Sequence, residues 1–260
     1  MLRTLTATRY VMPLREGGSL PAIVEADDDG LYVLKFRASG QGAKALIAEL
    51  ISGEIARAFG LLVPEIVLVE VDAALGRNEP DYEIRELLTK SAGINLALDY
   101  LPGSITFDPK ANGSIDPLLA SKIVWLDAFT TNVDRTARNA NMLMWHKNLW
   151  LIDHGASLYF HHQWSGELEK SKSPFAQVKD HVLLKAASAL REANVMLRPL
   201  VTKELLEGIV DQIPESWLEP GSGFENVRSH RAAYVRYLLE RVKAADLFLS
   251  EAENARAKLV

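Results

Sequence analysis

The chain has 260 residues, 48% hydrophobic and 24% charged, with a formal net charge of -5 and no cysteine. That length buries a substantial core without covalent staples, and the lack of cysteine excludes disulfides and thiolate metal sites. No apolar run suits a signal peptide or a spanning helix, and the acidic balance offers no basic face to a nucleic-acid backbone; the expectation is a cytoplasmic globular protein without membrane contact or direct nucleic-acid binding.

In chain order, strand signals come first, at Ala22 to Glu25, over GLYVLKFRA from Gly30 to Ala38, and over EIVLVEV from Glu65 to Val71. Between the last two, Leu46, Ile47, Leu50, Ile51, Ile55 and Phe59 recur at helical spacing. Gly60 stops that helix and Pro64 opens the next strand. IRELLTKSAG predicts a short helix, and INLALDYLPG a strand leaving through a Pro102-Gly103 turn. That turn, with the loop running to Pro117, divides the chain into residues 1–102, rich in strands, and 103–260, mainly helical. The second part carries helical patterns over LLASKIVWLDAFTTN, HVLLKAASALREAN and TKELLEGIVDQI. It ends in one long amphipathic helix, SHRAAYVRYLLERVKAADLFLSEAENARAKL, with its Arg and Glu residues outward. No internal repeat or low-complexity tract occurs.

The segment NVDRTARNANMLMWHKNLWLIDHG, residues 132–155, concentrates the chemistry. Phosphoryl transfer from ATP needs a carboxylate to orient the attacking hydroxyl and hard oxygen ligands for Mg2+. Asp134 and Asn139 have the D-x-x-x-x-N spacing of protein kinases, and MLMW and LWLID read as a hairpin that returns Asp153 beside them. Caps and strand ends account for any one of these residues alone; their combined order and spacing favours function. Lys35, inside the apolar strand YVLKF, is costly there unless it grips phosphates or reaches solvent. Its acidic partner is open between Glu49 and Glu54: the helical wheel puts Glu54 in the apolar stripe and Glu49 outside it, which does not settle the choice.

Two glycine-rich places compete for the phosphates. Gly17, Gly18 and Ser19 lie upstream of the lysine strand, where a loop could fold over them. Gly40 and Gly42 fit a loose dinucleotide fingerprint, with Glu70 or Asp72 ending the next strand. In that Rossmann reading the acidic residue arrives late, Lys35 sits in what should be an apolar parallel strand, and Asp134, Asn139 and Asp153 go unexplained. Adjacent His161 and His162 point apart and read as a solvated loop rather than a metal site, and Trp125, Trp145, Trp150, Trp164 and Trp217 read as core or interface residues.

With Lys35, the helix ending ARAFGLLVPEI, and NVDRTARN followed by LIDHG, the chain resembles the HipA-like kinases from about Gly17 to Tyr159. The resemblance implies an α+β, two-lobed protein-kinase-like fold with a strand-rich N-lobe and a mainly helical C-lobe. It implies Asp134 as catalytic base, Asn139 and Asp153 as Mg2+ ligands, Lys35 as ATP clamp, and Asp99, Tyr100 and Leu101 as the adenine-binding hinge. Counting back from FGLLVP, it places the helix Glu on Glu49, and the family's regulatory autophosphorylation serine falls on Ser19. Thr136 stands where the family often has His, and LIDHG ends the hairpin unusually. Family members are commonly longer, with an extra amino-terminal subdomain and a DNA-binding antitoxin partner, for which little room precedes Gly17. The implied activity is transfer of the terminal phosphoryl group of Mg-ATP to a hydroxyl, on a protein Ser or Thr. The alternatives are a small-molecule kinase and a non-catalytic nucleotide-binding regulatory module.

Overall fold

A computed structural model describes residues 1–14, 20–77, 79–109, 111, 113, 115–218 and 223–260. Five strands, β1 (Thr4–Pro13), β2 (Ala22–Ala26), β3 (Leu31–Lys35), β4 (Ile66–Val71) and β5 (Gly93–Asp99), close a barrel in the order β1-β2-β3-β5-β4. Its seam is the parallel pairing of Thr4, Leu5 and Thr6 with Leu68, Val69 and Glu70. β3 is antiparallel to both β2 and β5, which rules out the doubly wound parallel sheet that a dinucleotide fingerprint at Gly40 and Gly42 requires.

β1 was not among the expected strands. Its inward residues Leu5 and Ala7 are small in number and size, and bulges between Ala7 and Arg9 and between Tyr10 and Met12 break the alternation further along. β3 is shorter than expected. It ends at Lys35 because the Arg37 N–H leaves the ladder to donate to the Asn95 side chain at 2.7 Å.

Alternation decides where the lysine points. Tyr32, Leu34 and Phe36 fill the barrel with Val24, Val67, Val69 and Val71, closed at one end by Ile84 and Leu88 of α2 (Tyr82–Lys90). Lys35 therefore faces outward. The same outer surface carries Ile66, Leu96 and Leu98, which pack with Leu46, Ile47, Leu50 and Ile51 of α1 (Ala43–Ala58). Gly53 of α1 sits so close to β4 that a Cβ there would lie 2.5 Å from the Ile66 Cδ1.

The larger core continues from α1 into the rest of the chain. It takes in α3 (Pro117–Thr130), α5 (Leu190–Leu197), α6 (Lys203–Val210), α7 (Val227–Lys243) and α8 (Ala245–Ala257), with the short α4 (Glu167–Lys170) at its margin. A three-stranded sheet of β6 (Ile105–Thr106), β7 (Met142–Trp145) and β8 (Asn148–Leu151) lies between.

Three helical expectations are corrected. HVLLKAASALREAN is helical only from Leu190: His181 bonds Asp127 and the Val182 N–H donates to the Arg135 carbonyl, holding 181–189 in turns. The terminal helix breaks at Ala244, so that Phe248 reaches the Trp125 ring at 5.4 Å. Its arginines do not all face outward. Arg241 is fully buried and donates to the carbonyls of Ala128, Phe129, Ser171 and Ser173, with burial lowering its pKa to about 10. No helix among the described residues is long and apolar enough to cross a membrane.

Candidate active site

The site begins with a polar anchor that sequence reasoning missed. Asp127, on the buried face of α3, accepts from the Asn132 side chain at 2.9 Å, from Arg135 Nε at 2.6 Å and from His181 Nε2 at 2.9 Å. Burial alone would push the Asp127 carboxyl up, but Arg135 and His181 outweigh it and hold it well below the usual carboxylate range. Arg135 also donates to the Asn141 carbonyl and, at 3.5 Å, to that of Ile152, tying together the two ends of the β7–β8 hairpin. One buried arginine thus fixes the loop bearing Asp134 against the strand end bearing Asp153. Only the adjacency of Arg135 to Asp134 hinted at this in the sequence.

The hairpin turns tightly at His146 and Lys147, with φ of 47° and 66°, and pairs Met142 with Leu151. Its exit leaves Asp153 in the left-handed region at φ 55°, a conformation that an Asp tolerates better than most residues and that is held by the surrounding bonds. Asp134 is half-buried. Its Oδ2 accepts from Asn139 Nδ2 at 2.7 Å and from Asn141 Nδ2 at 3.2 Å, and its N–H donates to Asn132 Oδ1. Burial, with repulsion from Asp153, raises the Asp134 pKa above the ordinary 3.8.

Lys35 closes the site from the barrel side. Its ammonium donates at 2.7 Å to Glu49 Oε2 and at 2.7 Å to Asp153 Oδ1. Burial would lower the lysine pKa, yet Asp153 and Glu49 carry it above its usual value; Glu49, also penalised by burial, is held at about 2 chiefly by Lys35. Glu54, favoured by the helical wheel, lies away from this cluster and pairs with Arg57 at 2.9 Å. The wheel fails because residues 46–53 of α1 are buried all round, between barrel and helices, so the apolar stripe marks only one of two covered faces.

A cavity of ≈ 240 Å³ is lined by Lys35, Glu49, Asp134, Asn139 and Asp153, with Ser39, Gly40 and Gln41 forming its rim at the start of α1. Gly40, one of the two glycines taken for a dinucleotide fingerprint, therefore belongs to this wall. Gly17, Gly18 and Ser19 lie outside the described residues. Asp99, Tyr100 and Leu101 are not in the cavity: the first two N–H groups donate to Glu65 and Leu31 carbonyls, and Leu101 is buried. They lie at the far end of β5, three residues beyond the Leu96 that pairs with Lys35.

Oxygen donors suit a hard divalent cation here. Asn139 uses its amide nitrogen on Asp134, which leaves its carbonyl oxygen for other bonds, and Asp153 and Asp134 repel one another across the cleft. The cavity offers the Asn139 amide and the Asp153 carboxylate as oxygen donors. Contrary to the solvated loop expected, His161 is fully buried, its Nδ1 3.2 Å from the Tyr234 hydroxyl.

The HipA-like kinase family matches residues 8–251. The chain belongs to that family. Its fold is similar to that of the Helicobacter pylori proinflammatory kinase CtkA, with TM-score 0.59 and 15% identity, covering 97% of this chain and 99% of that one. It is also similar to the Golgi casein kinase in its Mn/ADP-bound structure, with TM-score 0.51 and 13% identity over 99% of this chain and 76% of the other. No curated protein sequence matches significantly. Family and fold are those of phosphotransferases.

Proposed function

We propose that this HipA-like kinase binds Mg-ATP between its barrel, residues 1–102, and its helical part, residues 103–260, and transfers the terminal phosphoryl group to a protein Ser or Thr hydroxyl. The observation that carries the reading is the convergence of the Lys35–Glu49 ion pair, Asp153, Asp134 and Asn139 on one cavity. Lys35 grips the phosphates, kept in place by Glu49. Asp134 orients the acceptor hydroxyl and takes its proton as the new oxygen–phosphorus bond forms and ADP departs. Asn139 and Asp153 hold Mg2+, which when bound neutralises charge on the phosphate oxygens. Asp99, Tyr100 and Leu101 receive the base: Asp99 is roughly 10 Å along the barrel from the level of Lys35.

A macromolecular acceptor is supported by a second recess, ≈ 370 Å³, whose walls include Thr131 and Val133 of the loop that carries Asp134, with Tyr159 and Phe175 opposite. Tyr159 is 64% exposed and Val133 39%, apolar surface beside the acidic residue that a peptide could cover. Incubation of the purified protein with γ-labelled ATP and Mg2+, alone and with cell extract, tests the proposal. Label on protein Ser or Thr is expected. Label on a small molecule instead replaces the acceptor class, and tight ATP binding without transfer replaces catalysis by nucleotide sensing.

A further inference from the structure

His154 has no part in the reaction described above, yet it lies buried against two residues of the site, next to Asp153 in the chain and 3.5 Å from Glu49. It follows Asp153 directly, is fully buried, and neither ring nitrogen has a hydrogen-bond partner among the described residues. Its Nδ1 lies 3.5 Å from Oε1 of the fully buried Glu49, an oxygen that likewise has no shorter hydrogen bond among the described residues. The other oxygen of that carboxylate, Oε2, takes the Lys35 ammonium at 2.7 Å.

Two orphaned polar atoms facing one another in a buried site are costly apart and compensated together. A small rotation of the imidazole or the carboxylate converts the 3.5 Å approach into a hydrogen bond, and catalytic hydrogen bonds commonly tighten in this way when a ligand binds. A carboxylate accepts but cannot donate, so the partnership requires the proton on His154 Nδ1.

We propose that His154 is a positioning residue: its Nδ1–H donates to Glu49 Oε1 and so orients the carboxylate that holds Lys35. The consequence for ATP rests on the phosphotransferase reading; the pairing itself does not. Without His154, Glu49 keeps only one anchor and can swing, and Lys35 is left to Asp153 alone. The neutral imidazole suffices, since the bond needs only one N–H.

Imidazole NMR of the 15N-histidine-labelled protein, without nucleotide, tests the pairing. The expected result is a Nδ1–H tautomer for His154, with a slowly exchanging ring proton whose resonance moves in Glu49→Gln. A Nε2–H tautomer, or a resonance indifferent to Glu49→Gln, overturns the proposal. The functional readout is binding of a fluorescent ATP analogue with Mg2+. His154→Leu, which keeps the volume and loses the donor, is expected to weaken binding about tenfold, and His154→Asn, which returns a donor, to recover most of it. Equal binding by wild type and His154→Leu overturns the positioning role. If His154→Leu does not fold, His154→Asn and the NMR measurement still decide. A wild-type protein that binds no nucleotide refutes the phosphotransferase reading instead, while the NMR result continues to judge the His154–Glu49 pair.

Discussion

Asp134 and Asp153 line one cavity from two different pieces of chain, and their separate surroundings suit them to separate tasks in the proposed reaction. Asp134 is bonded by two amides and has its pKa raised by burial, a setting suited to a base that must give and take a proton. Asp153 touches the lysine and is 44% exposed, a setting suited to a ligand of phosphate-bound metal. Asp134→Asn should lower phosphoryl transfer by roughly 10²–10⁴-fold with little change in nucleotide affinity, while Asp153→Asn should weaken Mg-ATP binding as well. Labelled-phosphate transfer and titration calorimetry separate the two effects. Glu49 makes a prediction about stability. Its folded pKa, about 2, lies below the ordinary 4.5, so it contributes stability that is fully present above pH 4.5 and lost as pH falls toward 2. Acid unfolding followed by circular dichroism should therefore be shallower over that window in Glu49→Gln, though the variant is less stable at neutral pH.

Among the elements, α1 bears the most. It is packed on one side by the outer faces of β4 and β5 and on the other by the helices, and it presents Glu49 to the barrel strand that carries Lys35. Leu50, fully buried in this sandwich, should cost about 2–5 kcal/mol when changed to Ala, read as a fall in the urea midpoint. The β7–β8 hairpin depends on a different kind of support, the buried Asp127–Arg135–His181 cluster. Asp127→Ala leaves an unpaired guanidinium in the core and should destabilise by about 3–5 kcal/mol. Because Arg135 clamps both hairpin ends, a local readout is the Ile152 amide, which donates to the Asn141 carbonyl and whose hydrogen-exchange protection should fall with the global stability.

At the scale of the molecule, the barrel and the helical part meet through α1 and through Trp217, whose indole N–H donates across to the Ile94 carbonyl at 2.9 Å. Trp217→Phe keeps the aromatic packing and removes that bond, and should cost about 1 kcal/mol by thermal unfolding. That Lys35, Asp134, Asn139 and Asp153 come together was legible beforehand, since each lies in a short local pattern whose geometry neighbours dictate, and all four line one cavity. The anchors behind them were not. Asp127 and His181 lie 54 residues apart, and Glu49 stands 105 positions before His154. No local period records such pairings.

Local periodicity thus determined most strands and helices, the β-turn-β excursion and the identity of the acidic and amide side chains that it carries, because these depend on neighbours within a few residues. Barrel closure, the break at Ala244, the turns at 181–189 and the choice of Glu49 over Glu54 were decided only by the folded molecule. Each is settled by contact between distant segments, where burying a charge or an N–H without its partner costs more than a local preference can supply.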